Sequence, residues 1–251
     1  MSTEPKTILY PPEKYLDDNL FDLCKQASTA TVAQMLQRRG FRFIYMAQVT
    51  PLKPGSVLIG RAYTLRYIPR REDLSSRGSE RYKYAEHVAI EEVGPGDVLV
   101  IDARGNTNAG VFGDRLVVRM KYRGAVGLVT DGAIRDVPYL KDLEFPVFVR
   151  APHGYAHGAE HWAMDVQLPI GCGNVAVFPG DLVMGDDDGV VVVPQAIAED
   201  IIKEAVAEEQ EETFTRELLE QGYSVNDLHG NLPPEIQAQY DAWRKNHGLP
   251  L

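Results

Sequence analysis

Two short stretches hold the residues best suited to chemistry: Gly110-Val111-Phe112-Gly113-Asp114-Arg115-Leu116, and Asp131-Gly132-Ala133-Ile134-Arg135-Asp136. Each is expected to follow a strand and open a helix. At such a junction backbone N–H groups point outward and favour an anion, and Gly110 and Gly113 let the backbone approach it closely. Arg135 can add a bidentate grip on a carboxylate. Asp136 offers the hard oxygen ligation that suits Mg2+ or Mn2+, with waters and substrate oxygens completing the shell. Asp114 can hold one of those waters or move a proton. The same spacing also fits a reading without chemistry, in which Asp114 and Asp136 cap helices and Arg135 pairs with a surface acid.

The elements that must place these loops are marked by punctuation. A short apolar run at 98–102 follows the turn Pro95-Gly96-Asp97 and reads as a buried strand. Residues 114–123 read as a helix closed by Gly124, 125–130 as a second buried strand, 137–143 as a short helix and 146–150 as another strand. Upstream, Ser28 and Thr29 offer N-caps for a helix through Val32, Met35 and Leu36, stopped by Gly40, and 56–66 reads as a strand. Downstream, Pro179-Gly180-Asp181 repeats the earlier turn and leads into strands at 182–184 and 189–193. The likeness of the two turns is read as two independent turn-and-strand units. Pro194 then opens a long helix on Ile197, Ile201 and Ala205, whose second half carries Glu208, Glu209, Glu211 and Glu212. Strands alternating with short helices indicate an α/β protein.

With these motifs in place, the sequence resembles the RraA-like family, which includes the class II 4-hydroxy-4-methyl-2-oxoglutarate aldolases. The likeness runs from 28 to 221 and is most specific at Gly113-Asp114 and at Arg135-Asp136, the arginine falling twenty-one positions after Asp114. Gly124-Ala125-Val126-Gly127, Val129-Thr130-Asp131-Gly132 and Asp186-Asp187-Asp188-Gly189-Val190-Val191-Val192-Val193-Pro194 add to it. The resemblance implies a single α/β domain at 28–221, of the swivelling phosphohistidine-domain-like β/β/α kind, assembled as a homo-oligomer, a trimer or a hexamer of two trimers. Around it stand an arm at 1–27, a polar insertion at 69–83 and a tail at 222–251.

The resemblance further implies that Asp136 binds the divalent metal, that Arg135 contacts pyruvate and that Asp114 holds metal-bound water. Backbone amides around Gly113, Asp114, Arg115 and Leu116 would bind the substrate carboxylate. The implied activity is cleavage of a 4-hydroxy-2-keto acid to pyruvate and a carbonyl product through a metal-stabilised enolate. Oxaloacetate decarboxylation passes through the same enolate and is the expected companion. An acid donated from a neighbouring subunit should fall in the helix holding Glu208 to Glu212, at no single assignable position. Family members without an aspartate at the position of Asp136 are binding-only regulators of ribonuclease E. The presence of Asp136 favours an enzyme; a non-catalytic regulator binding ribonuclease E or another protein is the alternative.

Composition narrows the partners. The 251 residues carry 26 Lys or Arg against 36 Asp or Glu, a net charge of −10, which argues against nucleic acid. Because the expected substrates are anions, the excess acid should sit away from the site, much of it on the helix at 199–220. The metal, Arg135, two helix N-termini and Arg70, Arg71, Arg77 and Arg81 of the insertion would reverse the sign locally. Cys24 and Cys172 support neither a disulfide framework nor a thiolate zinc site, and Cys172 reads as a small buried residue. No run approaches the roughly 20 apolar residues of a membrane helix, so a cytoplasmic protein without membrane contact is expected. There is no Walker-type phosphate loop and no Gly-x-Ser-x-Gly elbow. His157-Gly158-Ala159-Glu160-His161 matches the His-x-x-Glu-His of zinc proteases, but Pro152, Gly154, Gly158 and Pro169 make this a poor helical site. A polar loop with histidines near a pocket is expected instead. In the tail, Tyr240 and Trp243 should dock onto the body or onto a partner subunit.

Overall fold

The computed structural model describes Leu16 and residues 18–75, 84–228, 230 and 232–249. Arg77, Arg81 and most of the expected arm lie outside them. The chain enters through α1 (Asp18–Cys24), α2 (Thr29–Arg38), β1 (Thr50–Pro51), β2 (Leu58–Pro69), α3 (Glu72–Ser75) and α4 (Tyr84–Glu92). Its centre is β3 (Asp97–Asp102), β4 (Gly110–Phe112), α5 (Asp114–Arg123), β5 (Gly127–Ile134), α6 (Val137–Asp142) and β6 (Val147–Pro152). Then come β7 (His161–Val166), β8 (Ile170–Cys172), β9 (Val175–Val177), β10 (Leu182–Asp186), β11 (Gly189–Val193) and α7 (Ala198–Glu220). The tail adds α8 (Val225–Leu228) and α9 (Pro234–Asn246).

The strands form one mixed sheet in the order β1-β6-β5-β3-β2-β10-β11, with β2, β3, β5 and β6 parallel and β10 antiparallel to both its neighbours. Its ends are drawn together by a single segment. Met46 N donates to Val190 O and Val192 N to Ile44 O, while Thr50 and Pro51 pair with β6, so residues 44–51 touch both margins and the sheet becomes nearly a closed barrel.

Side-chain alternation along each strand decides what it faces. Val98 and Val100 of β3 point into the barrel with Val129, Phe148, Val183, Val190 and Val192, whereas Leu99 and Ile101 point outward beneath α4 and α5. Leu182, Met184, Val191 and Val193 likewise leave the barrel and meet α1, α2 and α7. Both faces are covered, which is why these strands read as unbroken apolar runs.

Local signals fold as their residue types require. The Oγ of Ser28 accepts Thr31 N at 3.1 Å and starts α2, and Gly124 at φ 95 ends α5, with Ala125 N donating to Met120 O. The two Pro-Gly-Asp turns are alike in detail: Asp97 accepts Gly94 N and Asp181 accepts Phe178 N, each three residues back. They flank β2 from opposite sides, Arg61 N bonding Gly96 O and Ala62 N bonding Asp181 O. Beyond them β3 runs parallel to β2 and β10 antiparallel.

Several elements differ from expectation. β2 continues to Pro69, and the described part of the expected insertion is limited to the end of that strand, Arg70, Arg71 and α3. α1 lies within the expected arm, yet Leu20 and Cys24 are buried against α7 and belong to the core. β4 and β7 occupy stretches read as loops: β4 has three residues, too few to show a period, and β7 pairs with β2 while mixing buried His161 and Ala163 with exposed Met164. In the tail, Ile236 and Tyr240 of α9 pack on Phe214 and Leu218 of α7, and Trp243 Nε1 donates to Glu217 at 3.0 Å. The aromatic tail thus docks on its own chain. Among the described residues no helix is long and apolar enough to cross a membrane.

Candidate active site

β4 runs parallel to β5, with Gly110 opposite Ala133 and Phe112 opposite Ile134, so the loops leaving the two strands lie side by side. Gly113 caps α5 and Asp136 caps α6. Asp136 stands at φ 61, a left-handed conformation that aspartate tolerates better than most residues. Its carboxylate reaches back over the start of α5, with Oδ2 3.3 Å from Asp114 N and 3.2 Å from Arg135 Nε.

Gly113 makes that approach possible, because a Cβ there would stand 2.3 Å from Asp136 Oδ2. Its backbone is extended, at φ −130 and ψ −177, so alanine would bring no backbone strain. Gly113→Ala is therefore expected to displace the Asp136 carboxylate and lower kcat/KM about tenfold or more, with the fold intact. Steady-state kinetics beside a thermal melt check this; unchanged kinetics would show that the carboxylate position is not needed.

Asp114 also has a local role, its Oδ1 accepting Arg115 N at 2.7 Å. The carboxylates that accept the first N–H groups of α5 are thus among those that line the cleft, whereas the Asp136 side chain makes no capping bond to its own helix α6. Arg135 pairs with its neighbour Asp136 rather than with a remote surface acid. A cleft of about 490 Å³ gathers Gly113, Asp114, Arg115, Leu116, Arg135 and Asp136, and adds His87 of α4 and His157 of the 3-10 turn His157–Ala159.

Behind His157 lies a buried polar chain. Its Nδ1 is 3.4 Å from Oε1 of Glu86, and the fully buried Tyr67 hydroxyl donates to that same oxygen at 3.3 Å. Burial pushes the Glu86 carboxyl up to about 7. Burial first, and then Arg70, His87 and Arg135, hold His157 below the usual imidazole range. Both partners are thus driven toward their neutral forms. Glu86 and His87 carry no motif; the one sign in the sequence is an acid set among Ala85, Ala89 and Ile90 on a short helix.

The zinc-protease pattern is not assembled as its chemistry needs. His157 begins a 3-10 turn and His161 lies in β7, where its Nδ1 is 3.1 Å from Arg104 Nη2, while Glu160 accepts Asn106 Nδ2. Among the described residues no three His, Cys, Asp or Glu side chains come together as a metal cluster. The two cleft carboxylates, Asp136 and Asp114, are hard oxygen donors of the kind that suits Mg2+ or Mn2+, which keep waters and take substrate oxygens, and do not make a closed zinc site.

Three acids of α7 are engaged by α2 and the residues that flank it. Arg38 pairs with Glu208 and Arg39 with Glu204, while Glu209 accepts Ser28 N and Thr31 Oγ1. Near the cleft, Arg70 approaches Gly158, its Nη1 3.1 Å from where a Cβ would stand; Arg71 pairs with Asp73 instead.

The RraA-like family model, Aldolase/RraA, matches residues 29–192. A protein of Halalkalibacterium halodurans named "Putative 4-hydroxy-4-methyl-2-oxoglutarate aldolase" is 41% identical over 117 residues, 47% of this chain and 55% of that protein. Protein DlpA of Legionella pneumophila is 28% identical over 189 residues, 75% of this chain and 30% of its own length. The match thus spans only part of these curated relatives. Among solved structures, Streptomyces coelicolor RraAS2, described as an unusual member of the RNase ES inhibitor RraA protein family, superposes with a TM-score of 0.74 at 38% identity, covering 80% of this chain and 98% of that one. An uncharacterized Pseudomonas syringae protein shares the fold with a TM-score of 0.77 at 24% identity, covering 88% and 97%.

Proposed function

The chain belongs to the RraA-like family, and we propose that it is a divalent-metal-dependent aldolase that cleaves a 4-hydroxy-2-keto acid to pyruvate and a carbonyl product. The observation that carries this reading is the meeting of Asp136, Arg135 and the first turn of α5 in one cleft, with the Asp136 carboxylate seated over Gly113. Asp136 would hold Mg2+ or Mn2+, which supplies Lewis-acid polarisation of the keto oxygen when bound. Arg135 orients the substrate carboxylate. The amides from Gly113 to Leu116 add N–H donors at the helix N-terminus, where an incoming carboxylate competes with Asp114 for Arg115 N–H. Asp114, so displaced, is free to hold a water or relay a proton. Oxaloacetate, which loses CO2 where the larger substrate loses its carbonyl fragment, fits the same machinery.

The test is pyruvate release from a panel of 4-hydroxy-2-keto acids, and loss of oxaloacetate, with Mg2+ or Mn2+ and after EDTA. Turnover is expected with metal, lost on chelation and restored by adding metal back. No turnover with any divalent ion would end the aldolase reading. The likeness to RraAS2 favours a second reading, a regulator that binds a ribonuclease or another protein, which would then gain.

The assembly is proposed to be a trimer or a hexamer of two trimers in the cytoplasm, with no nucleic-acid or membrane partner. Glu208 and Glu209 are engaged within their own chain, which leaves Glu211 and Glu212 as the better candidates to reach a neighbouring subunit.

A further inference from the structure

Beyond the groups that hold the pyruvate half of a substrate, the cleft contains an acid–base pair with no part in that task. His157 lines it, the buried carboxyl of Glu86 stands 3.4 Å from Nδ1, and the Tyr67 hydroxyl donates to that same Glu86 oxygen. The ring is further located by Tyr67, whose centroid lies 6.1 Å away. An imidazole with one nitrogen turned to a buried carboxyl and the ring edge at a cleft is the arrangement by which a carboxyl sets the tautomer of a working histidine.

We propose that His157 is the proton-transfer residue for the C4 hydroxyl of the substrate, and that Glu86 is its positioning residue. The inference rests on the aldolase reading. With Nδ1–H held toward Glu86, Nε2 presents a lone pair. It takes the proton of the C4 hydroxyl; the O–H electron pair becomes the second bond of the new carbonyl at C4, the C3–C4 bond breaks, and its electron pair passes to C3 and the adjoining C2 carbonyl. A proton returned to C3 completes pyruvate, so no oxidant or further reactant is needed. The surroundings suit this work. Burial first, and then the charges of Arg70, His87 and Arg135, disfavour a standing positive charge on the ring, so the imidazole favours its neutral form and can accept a proton. Glu86, pushed up to about 7 by burial, places its Oε1 opposite Nδ1 as the acceptor that sets the tautomer.

Oxaloacetate decarboxylation separates this role from all others, because its departing carboxylate carries no hydroxyl proton to remove. His157→Gln is expected to reduce cleavage of a 4-hydroxy-2-keto acid about a hundredfold more than it reduces decarboxylation. Imidazole added to His157→Ala should restore part of the lost cleavage. Glu86→Gln should lower kcat with little change in KM and displace the kcat pH profile. Independently of activity, 15N spectra of the labelled protein should show the His157 ring with Nδ1 protonated and Nε2 bare, a preference weakened in Glu86→Gln. Equal loss of both reactions, or no imidazole rescue and no tautomer preference, would overturn the proposal while leaving the aldolase reading in place. Absence of both reactions from the unaltered protein removes the aldolase reading, and this one with it.

Discussion

Asp136→Asn is expected to abolish metal-dependent pyruvate release, lowering kcat/KM about a thousandfold or more, while the thermal melt stays close to that of the unaltered protein. The size follows from the several kcal/mol that a Lewis acid contributes to such a reaction, since each 1.4 kcal/mol or so is a factor of ten. Asparagine is the informative replacement. It tolerates the left-handed backbone at φ 61 as aspartate does and keeps the size of the side chain, so only charge and ligation are lost. The contact with Arg135 that disappears is partly exposed, with 39% and 32% of the two side chains accessible, and contributes at most about 1 kcal/mol. Assays at saturating Mg2+ and Mn2+, with a melting curve from the same sample, provide the check. Activity within tenfold of normal would place the metal elsewhere.

Glu86→Gln should stabilise the protein at alkaline pH and leave it nearly unchanged in acid. Glu86 keeps its proton in the folded state up to about 7, whereas unfolded glutamate releases it near its ordinary value of 4.5. Its contribution to stability is therefore fully present below the unfolded value and lost as pH rises through the folded one. A displacement of that size corresponds to about 3 kcal/mol, and glutamine, neutral throughout, escapes the loss. In a chain of this length that is roughly 6–12 °C in melting temperature above about pH 8. His161, held down to about 4 chiefly by burial, and Asp181, pushed up to about 6 by burial, bend the parent curve in opposite senses, but both remain in the variant and drop out of the difference. Melts across pH decide it; curves for the two proteins that stay parallel would show that Glu86 titrates normally. Gained stability with impaired cleavage would also show what the buried acid is kept for.

The loops of the candidate site were legible because their cues are local. Gly113 followed by Asp114 at one bend, Arg135 followed by Asp136 at the other, and short apolar runs on either side define the pair of strand-to-helix junctions, and β4 and β5 then bring them together. Closure of the sheet was not legible, since the bonds from Ile44 and Met46 to β11 join residues with no sequence relation. Glu86 failed for the same reason: it is unremarkable in its own segment, and although a histidine loop near a pocket was legible at His157, the pairing of the two emerges only across the 3.4 Å between them. β7 was obscured by mixed polarity at a margin, and the aromatic tail announced docking but not the surface, which α7 supplies with Phe214 and Leu218.

The segment at 44–51 also sets an order of events during synthesis. Residues 44–46 can find β11 only after residue 193 has left the ribosome, although the strands β2, β3, β5 and β6 can pair well before then. Loop closure over so long a stretch is entropically unfavourable and slow. Until the β10–β11 hairpin arrives, both margins of the growing sheet expose unpaired N–H and C=O groups, the surfaces through which nascent chains aggregate. Chaperone dependence should therefore concentrate in the interval between completion of β6 and emergence of β11, and a chain cut before Gly189 should be more prone to aggregation than one cut before α9.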